Sequence, residues 1–271
     1  MVNHIEKWKL NELVQVVDEF DSTICDKVNE SKLKFFHDYK SLLFFMAGKS
    51  VVTTKEILCL VQCGYPEGAL SLARNLYEQF IIAEFFHTHK ADGNFQDYID
   101  DFFADYEIQR NKLLAFSAEY AENNIEQKQQ AEKCIAEIRA NAHSKKRGAY
   151  WWADKDTFSN MAIDLIKRQT DPNFRKFTAM YHMIYKRACV SLHASCAGNI
   201  LRLGDNSEFF GVDNRPRENG HSVPLLLGVY SFLCVTDIVC EEFEIDHADW
   251  KIRLYDLLTY YNSLLEGDKN V

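Results

Sequence analysis

Arg74 and Glu78 are the first residues whose types and spacing could support chemistry. They lie four positions apart in GYPEGALSLARNLYEQFIIAEFFH, residues 64–87, where apolar side chains occupy most other positions. On a helix this spacing places both charges on one face. Because few of these positions could face solvent, we expect the pair to be buried, and a buried ion pair stabilises less than apolar packing does. The pair is therefore either internal scaffolding or part of a site.

A second set of polar residues lies in YKRACVSLHASCAGN, residues 185–199. Histidine can act as a general acid or base near neutral pH, and arginine can bind and neutralise a phosphate. The alternative for His193 is an ordinary core histidine. The candidate catalytic residues of the two stretches are Arg74, Glu78, Tyr185, Arg187, His193 and Ser195.

The sequence predicts neither a metal site nor a cofactor. E-x-x-H occurs as Glu84 with His87 and as Glu244 with His247, but a di-iron bundle also needs a glutamate from each of two further helices. The second match falls between two predicted helices, in a turn. None of the eight cysteines forms C-x-x-C, so reduced, mostly buried thiols are expected rather than a zinc or redox motif.

One stretch, HSKKRGAYWW at residues 143–152, combines basic and aromatic residues. This combination can hold single-stranded nucleic acid. Trp151 and Trp152 are instead favoured as core residues at a helix junction.

Apolar residues recur with helical spacing almost throughout the chain, and only 11 Gly and 4 Pro in 271 residues offer turn signals. Both features predict an all-α fold, a single-domain bundle of about eight helices over residues 1–271. Residues 94–147 are predicted to form a helical hairpin, whose outer helix could also pair with a second copy. Residues 204–222 are predicted to form one long loop, a length often associated with function.

Several helix boundaries can be predicted from local signals. The first helix is expected at about residues 4–28 and the second from near Ser31, with an alternative break at Gly48. Gly64 is a stop signal, and Pro66 and Pro172 are each expected to start a helix.

The net charge of −9 and the pI near 5.5 argue against a strongly basic nucleic-acid footprint and against docking on anionic lipid. A local patch could still bind RNA. No signal peptide is recognised, and no stretch approaches the roughly 18 uninterrupted apolar residues of a membrane span. We therefore expect a cytoplasmic protein that does not bind membranes.

The pattern GYPEGALSLARNLYE, followed far downstream by a Trp region and then by Y…S-x-H-A-S, resembles a bacterial family of all-helical proteins of unknown function. The resemblance covers roughly residues 30–205, which would form a family-like core. It implies that Arg74 and Glu78 meet the polar residues of the second helix across a helix interface, namely Tyr185, Ser191, His193 and Ser195.

Arg187 and His193, with five residues between them, are similar to the loose Arg–His pattern of HEPN ribonucleases, small helical nucleases of toxin and defence systems. In that resemblance the arginine binds the scissile phosphate and the histidine acts on the ribose 2′-hydroxyl. Two other pairs also fit the pattern, Arg175 with His182 and Arg215 with His221.

The leading hypothesis is a metal-independent HEPN-like endoribonuclease, a toxin or defence effector acting as a homodimer. Arg74 or Arg187 would contact phosphate, and three arginines near the long loop would bind the substrate: Arg202, Arg215 and Arg217. One alternative is a non-enzymatic interaction or sensor module, which binds a partner protein and whose Arg–Glu–His cluster is structural. Another is a small-molecule pocket in the bundle core.

Overall fold

The structure, a computed structural model of the chain, describes residues 4–31, 37–120, 124–192 and 220–267. Every regular element in these ranges is helical, and the one β pairing among them is an isolated bridge between Tyr150 and Lys155. The predicted all-α fold is therefore confirmed. The helices are α1 His4–Lys7, α2 Leu10–Ser31, α3 Tyr39–Gln62, α4 Pro66–His89, α5 Phe95–Tyr120, α6 Ile125–Asn141, a 3₁₀ turn Trp151–Ala153, α7 Phe158–Arg168, α8 Pro172–Leu192, α9 Ser222–Glu242 and α10 Ala248–Gly267.

Three helix boundaries confirm the local signals. α4 begins at Pro66, and Gly64 takes φ +82°, a left-handed conformation that glycine adopts without strain. α8 begins at Pro172. Gly48 does not break α3, which runs uninterrupted to Gln62.

Two boundaries differ from the prediction. The predicted first helix is divided into α1 and α2, because Lys9 between them takes φ +47° and cannot continue a right-handed helix. Ser31 does not begin the next helix but ends α2, and α3 begins at Tyr39. Residues 32–36 lie outside the described residues, as do residues 204–219 of the predicted loop.

The chain divides into two compact units. The predicted organisation, a single domain with a family-like core and a hairpin at 94–147, stays a prediction. The first unit contains the described parts of 1–34, 43–84 and 166–271, and the second contains those of 35–42 and 85–165.

The first unit is built around α9, whose sequence SVPLLLGVYSFLCVTDIVCEE is apolar on nearly every side. Among the described residues, this helix alone is long and apolar enough to cross a membrane, with a mean hydropathy of 2.0, although no such stretch was expected. Of that apolar window, 89% is buried inside the protein, which fits a core helix.

A glycine allows α9 to approach α3 and α4 closely. A Cβ at Gly228 would lie 3.2 Å from Cδ1 of Ile57 and 3.8 Å from Cβ of Ala73. On α9, Phe232 packs edge-on against Phe20 of α2, with ring centroids 5.5 Å apart. The helix that carries Arg74 is therefore held against the centre of this unit.

In the second unit α5 and α6 pack against each other. Asn124 caps α6 by accepting a hydrogen bond from the Gln127 backbone N–H. The buried Asp101 of α5 accepts backbone N–H groups of His143 (3.0 Å) and Ser144 (2.7 Å), which fixes the segment after α6.

Trp151 and Trp152 are core residues of the second unit, as favoured from the sequence. The Trp151 indole N–H donates to Asp105 at 2.6 Å, and the Trp152 ring stacks on Phe86 with centroids 5.4 Å apart. Neither ring is available to stack on a nucleic-acid base.

The described cysteines are free thiols, and the expectation that most of them are buried is wrong. Of the described cysteines, only Cys234 and Cys240 are buried, and both lie on α9. Cys25, Cys59 and Cys63 are exposed because they lie on outward faces or ends of helices, and Cys196 lies outside the described residues.

Candidate functional site: a polar cluster between α4 and α8

Arg74 and Glu78 form an ion pair on α4. The Nη2 of Arg74 donates to Oε1 of Glu78 at 2.9 Å, as their spacing of one helical turn allows. Their side chains are 28% and 23% exposed, so the pair is half-buried rather than fully enclosed as expected. A solute can therefore reach a cation that the surrounding apolar helix holds in place.

α8 brings Tyr185 to this pair. The Tyr185 hydroxyl donates to the same Oε1 of Glu78 at 2.8 Å, across 107 residues of sequence. The guanidinium of Arg74 lies 5.6 Å from the centroid of the Tyr185 ring, a cation–π arrangement. These three predicted site residues are thus in direct contact.

Charge and burial fix the protonation states of this cluster. Burial disfavours the charge of Arg74, but the Glu78 carboxylate and the nearby Tyr185 and Cys189 outweigh it and raise the pKa of Arg74. Burial, with Cys189 and Glu78 beside it, raises the pKa of Tyr185 far above its usual range. Arg74 therefore stays a cation and Tyr185 stays a hydrogen-bond donor at neutral pH.

His182 is a member of the cluster that matched the Arg–His pattern with Arg175 but was not among the predicted site residues. Its ring stacks on Tyr185, with centroids 5.7 Å apart, and lies 6.1 Å from the ring of Tyr77. Burial, and then the positive charge of Lys186, lowers the pKa of His182 from 6.5 to about 4. The three-residue spacing of His182 and Tyr185 on a helix was the signal that could have identified it.

Contacts with α9 hold α8 in the register that presents Tyr185. Tyr181 stacks flat on Tyr230, with ring centroids 3.8 Å apart. The Thr178 hydroxyl forms a hydrogen bond of 2.9 Å with the Tyr230 hydroxyl. Because Thr178, Tyr181 and Tyr185 recur at three- and four-residue intervals, one face of α8 makes all of these contacts.

α8 also carries four cations and no acidic residue, in a chain of net charge −9. All four are exposed. Counted at about 100° per residue, they fall within a third of the circumference, beside the face that bears His182 and Cys189. This basic face of α8 consists of Arg175, Lys176, Lys186 and Arg187. Its composition was readable from the sequence, but its exposure was not.

The other predicted site residues do not join the cluster in the described structure. Arg187 follows Tyr185 by two positions, about 200° around the helix, and is exposed on the basic face instead. The remaining candidates lie outside the described residues, namely His193, Ser195, Arg202, Arg215 and Arg217. His193 follows Leu192, the last residue of α8, by one position.

Both E-x-x-H matches have other roles. Glu84 accepts a hydrogen bond from Gln169 at 2.8 Å. His247 lies in the turn between α9 and α10, as predicted, where its Nε2 is 2.7 Å from Oδ1 of Asp237. The described part of the chain holds no group of three or more His, Cys, Asp or Glu side chains that could bind a metal ion.

Comparison with protein families gives one result. The profile of DUF5677, a family of unknown function, matches residues 40–210, which is more than half of the chain. This range contains α4, α8 and the whole polar cluster. No curated protein and no solved structure matches the chain.

Proposed function

The chain belongs to DUF5677, a family of unknown function, and we propose that it acts as a metal-independent HEPN-like endoribonuclease, a toxin or defence effector of the cytoplasm. The observation that carries this proposal is the basic face of α8, which adjoins the Arg74 cluster. RNA is held through its phosphates, and an acidic protein can bind them only through such a local concentration of cations.

Arg74 is suited to contact the phosphate at which cleavage occurs. Its guanidinium has five N–H donors, and its contacts with Glu78 and Tyr185 do not use all of them. Glu78 and Tyr185 fix the orientation of the guanidinium, so the positive charge is in place before the substrate arrives. Lys186 on the adjoining basic face adds positive charge near His182, whose ring stacks on Tyr185.

The proposed reaction is an internal transesterification of RNA. The ribose 2′-oxygen attacks phosphorus, the bond from phosphorus to the 5′-oxygen breaks, and a 2′,3′-cyclic phosphate forms. His193 would take the 2′-hydroxyl proton and return it to the leaving 5′-oxygen, while Arg74 neutralises the developing charge. His182 does not serve as this acid, because its pKa of about 4 leaves it neutral at pH 7.

The test is cleavage of single-stranded RNA by the purified full chain in the presence of a metal chelator. We expect 2′,3′-cyclic phosphate ends, and a rate lowered roughly 100-fold or more by Arg74→Gln and by His193→Ala. The controls Arg110→Gln and His37→Ala replace exposed residues of the second unit and should retain full activity.

A second function has its own supporting observation. Glu78 already neutralises Arg74, and Tyr185 bonds to the same carboxylate oxygen, as expected of a structural lock between two helices. In this case the chain is a non-enzymatic interaction module. The wild-type chain would then leave RNA intact, and Arg74→Gln would lower the free energy of unfolding without changing any RNA signal.

A further inference from the structure

α5 carries an exposed apolar stripe that no described residue of its own unit covers. Tyr106, Leu113, Phe116 and Tyr120 are each between 64% and 71% exposed. Their spacings of seven, three and four residues place them on one side of the helix. Phe116 and Tyr120 already contact each other, with ring centroids 4.8 Å apart. These four residues are called the α5 stripe below.

The α5 stripe faces away from α6. Ile108 and Ala118, which are buried, follow Tyr106 and Phe116 by two positions, about 200° around the helix. The groove between α5 and α6 is lined on the α5 side by Asn111 and Leu114, which are not part of the stripe. The hairpin therefore uses one side of α5 for its own packing and leaves the opposite side uncovered.

The exposed area of the α5 stripe is more than half of what a standard interface buries on each partner. Aromatic side chains have about 150–250 Å² each to bury, so three aromatic residues roughly two-thirds exposed, with Leu113, present roughly 500 Å² per copy. A standard interface buries about 800 Å² on each partner. Tyrosine is also among the residues that dominate binding energy at interfaces.

Charge along this part of α5 does not oppose an identical partner. From Tyr106 to Tyr120, α5 carries two acidic residues, Glu107 and Glu119, and two basic residues, Arg110 and Lys112, which sum to zero in a chain of net charge −9. A nucleic acid or a strongly charged protein has no net attraction to this stretch. Two copies of it can approach without net repulsion, and a two-fold axis buries the same patch on both.

We propose that the α5 stripe is the interface through which two copies of this chain form a homodimer. The interface lies wholly within the second unit and is independent of the α4–α8 cluster, so it stands whether or not the chain cleaves RNA. The partner's stripe covers the aromatic side chains that a single copy leaves in water.

The experiment measures the molar mass of the full chain by sedimentation and light scattering over a series of concentrations. The wild-type chain should approach twice 31.5 kDa. The double variant Leu113→Glu with Phe116→Glu should shift to 31.5 kDa, because it places charges in an apolar interface while keeping a good helix former at both positions. Val52→Glu is the matched control, since Val52 is 56% exposed on α3 of the first unit.

Each outcome decides the proposal. A dimer that only the α5 variant dissociates, with unchanged circular dichroism and thermal melting, supports it. A wild-type chain that stays at 31.5 kDa overturns it, as does a dimer that survives the α5 double substitution or that Val52→Glu dissociates. If the double variant fails to fold, Tyr106→Glu, at the opposite end of the stripe, replaces it with the same expected shift.

Discussion

Arg74 is both anchored in the cluster and accessible to solvent. It is anchored by Glu78 and by the ring of Tyr185, yet more than a quarter of its side chain remains in contact with solvent. An exposed pair at this spacing contributes only about 0.3–0.5 kcal/mol to stability, and partial burial of this pair adds a desolvation cost. Stability alone is thus a weak reason to place this pair in an otherwise apolar helix.

His182 gives the cluster a measurable pH signature. Its pKa of about 4 in the folded state lies below the 6.5 of the unfolded chain, so the unfolded state binds the proton more readily. The stabilising effect of neutral His182 is complete above about pH 6.5 and is lost as the pH falls toward 4. Between pH 7 and pH 5 the wild-type chain should lose about 1–2 kcal/mol more free energy of unfolding than His182→Phe, which keeps a ring but cannot titrate.

Denaturant unfolding of both chains at the two pH values measures this difference. Tyr185→Phe is the matched control, because it alters the same cluster without removing a group that titrates in this range and should behave as the wild type. Equal losses in the wild type and His182→Phe would show that His182 is protonated equally easily in the folded and unfolded chains.

At the scale of elements, α8 works through two adjoining faces. One face packs on α4 and α9 through Thr178, Tyr181 and Tyr185, and the other presents the basic residues to solvent. The same packing that fixes the cluster therefore also fixes the direction of the basic face. In the second unit a single buried carboxylate, Asp101, plays the comparable anchoring role.

Asp101→Asn should loosen the segment that follows α6. The carboxylate accepts two backbone N–H groups, whereas an amide has one oxygen and would present its NH₂ group to the other donor. Leaving one buried donor unpaired costs about 1–3 kcal/mol. We expect a loss of that size in the free energy of unfolding, with faster amide exchange at His143 and Ser144.

Asp100→Asn provides the comparison for this prediction. Asp100 is exposed, and within the described residues it accepts a hydrogen bond from the side chain of Gln96. Its replacement should change stability by less than about 0.5 kcal/mol. A similar effect of both substitutions would contradict the anchoring role of Asp101.

At the scale of the whole molecule, the charge of −9 opposes RNA binding and makes the basic face of α8 decisive. The logarithm of an affinity for single-stranded nucleic acid falls with the logarithm of salt concentration by about 0.7 per phosphate neutralised. Lys186→Gln combined with Arg187→Gln should therefore reduce the steepness of this dependence by roughly 1.4. Fluorescence anisotropy with a labelled single-stranded RNA measures it.

Two exposed lysines on helices other than α8 serve as the charge-matched control. Lys49 of α3 and Lys133 of α6 are exposed, and their joint replacement by Gln changes the net charge by the same amount. The slope should then remain that of the wild type. If both double variants reduce the slope equally, the affinity for RNA depends on the net charge of the chain and not on the basic face.

Local sequence determined the secondary-structure elements of this protein and most of their boundaries. The helical class follows from apolar periodicity, and the starts of α4 and α8 follow from Gly64, Pro66 and Pro172, because glycine and proline act on the backbone within one turn. The same locality explains why Arg74 and Glu78 could be paired from their spacing alone. The break at Lys9 was missed because lysine rarely takes a positive φ.

Only the tertiary structure decided which faces of these helices meet. Periodicity shows that Tyr185 and Arg187 lie on opposite sides of α8, but not which side packs on α4. Burial of His182, and hence its lowered pKa, depends on side chains from α4 that are distant in sequence. Packing between helices joins residues about a hundred positions apart, and no local pattern encodes how deeply each is buried.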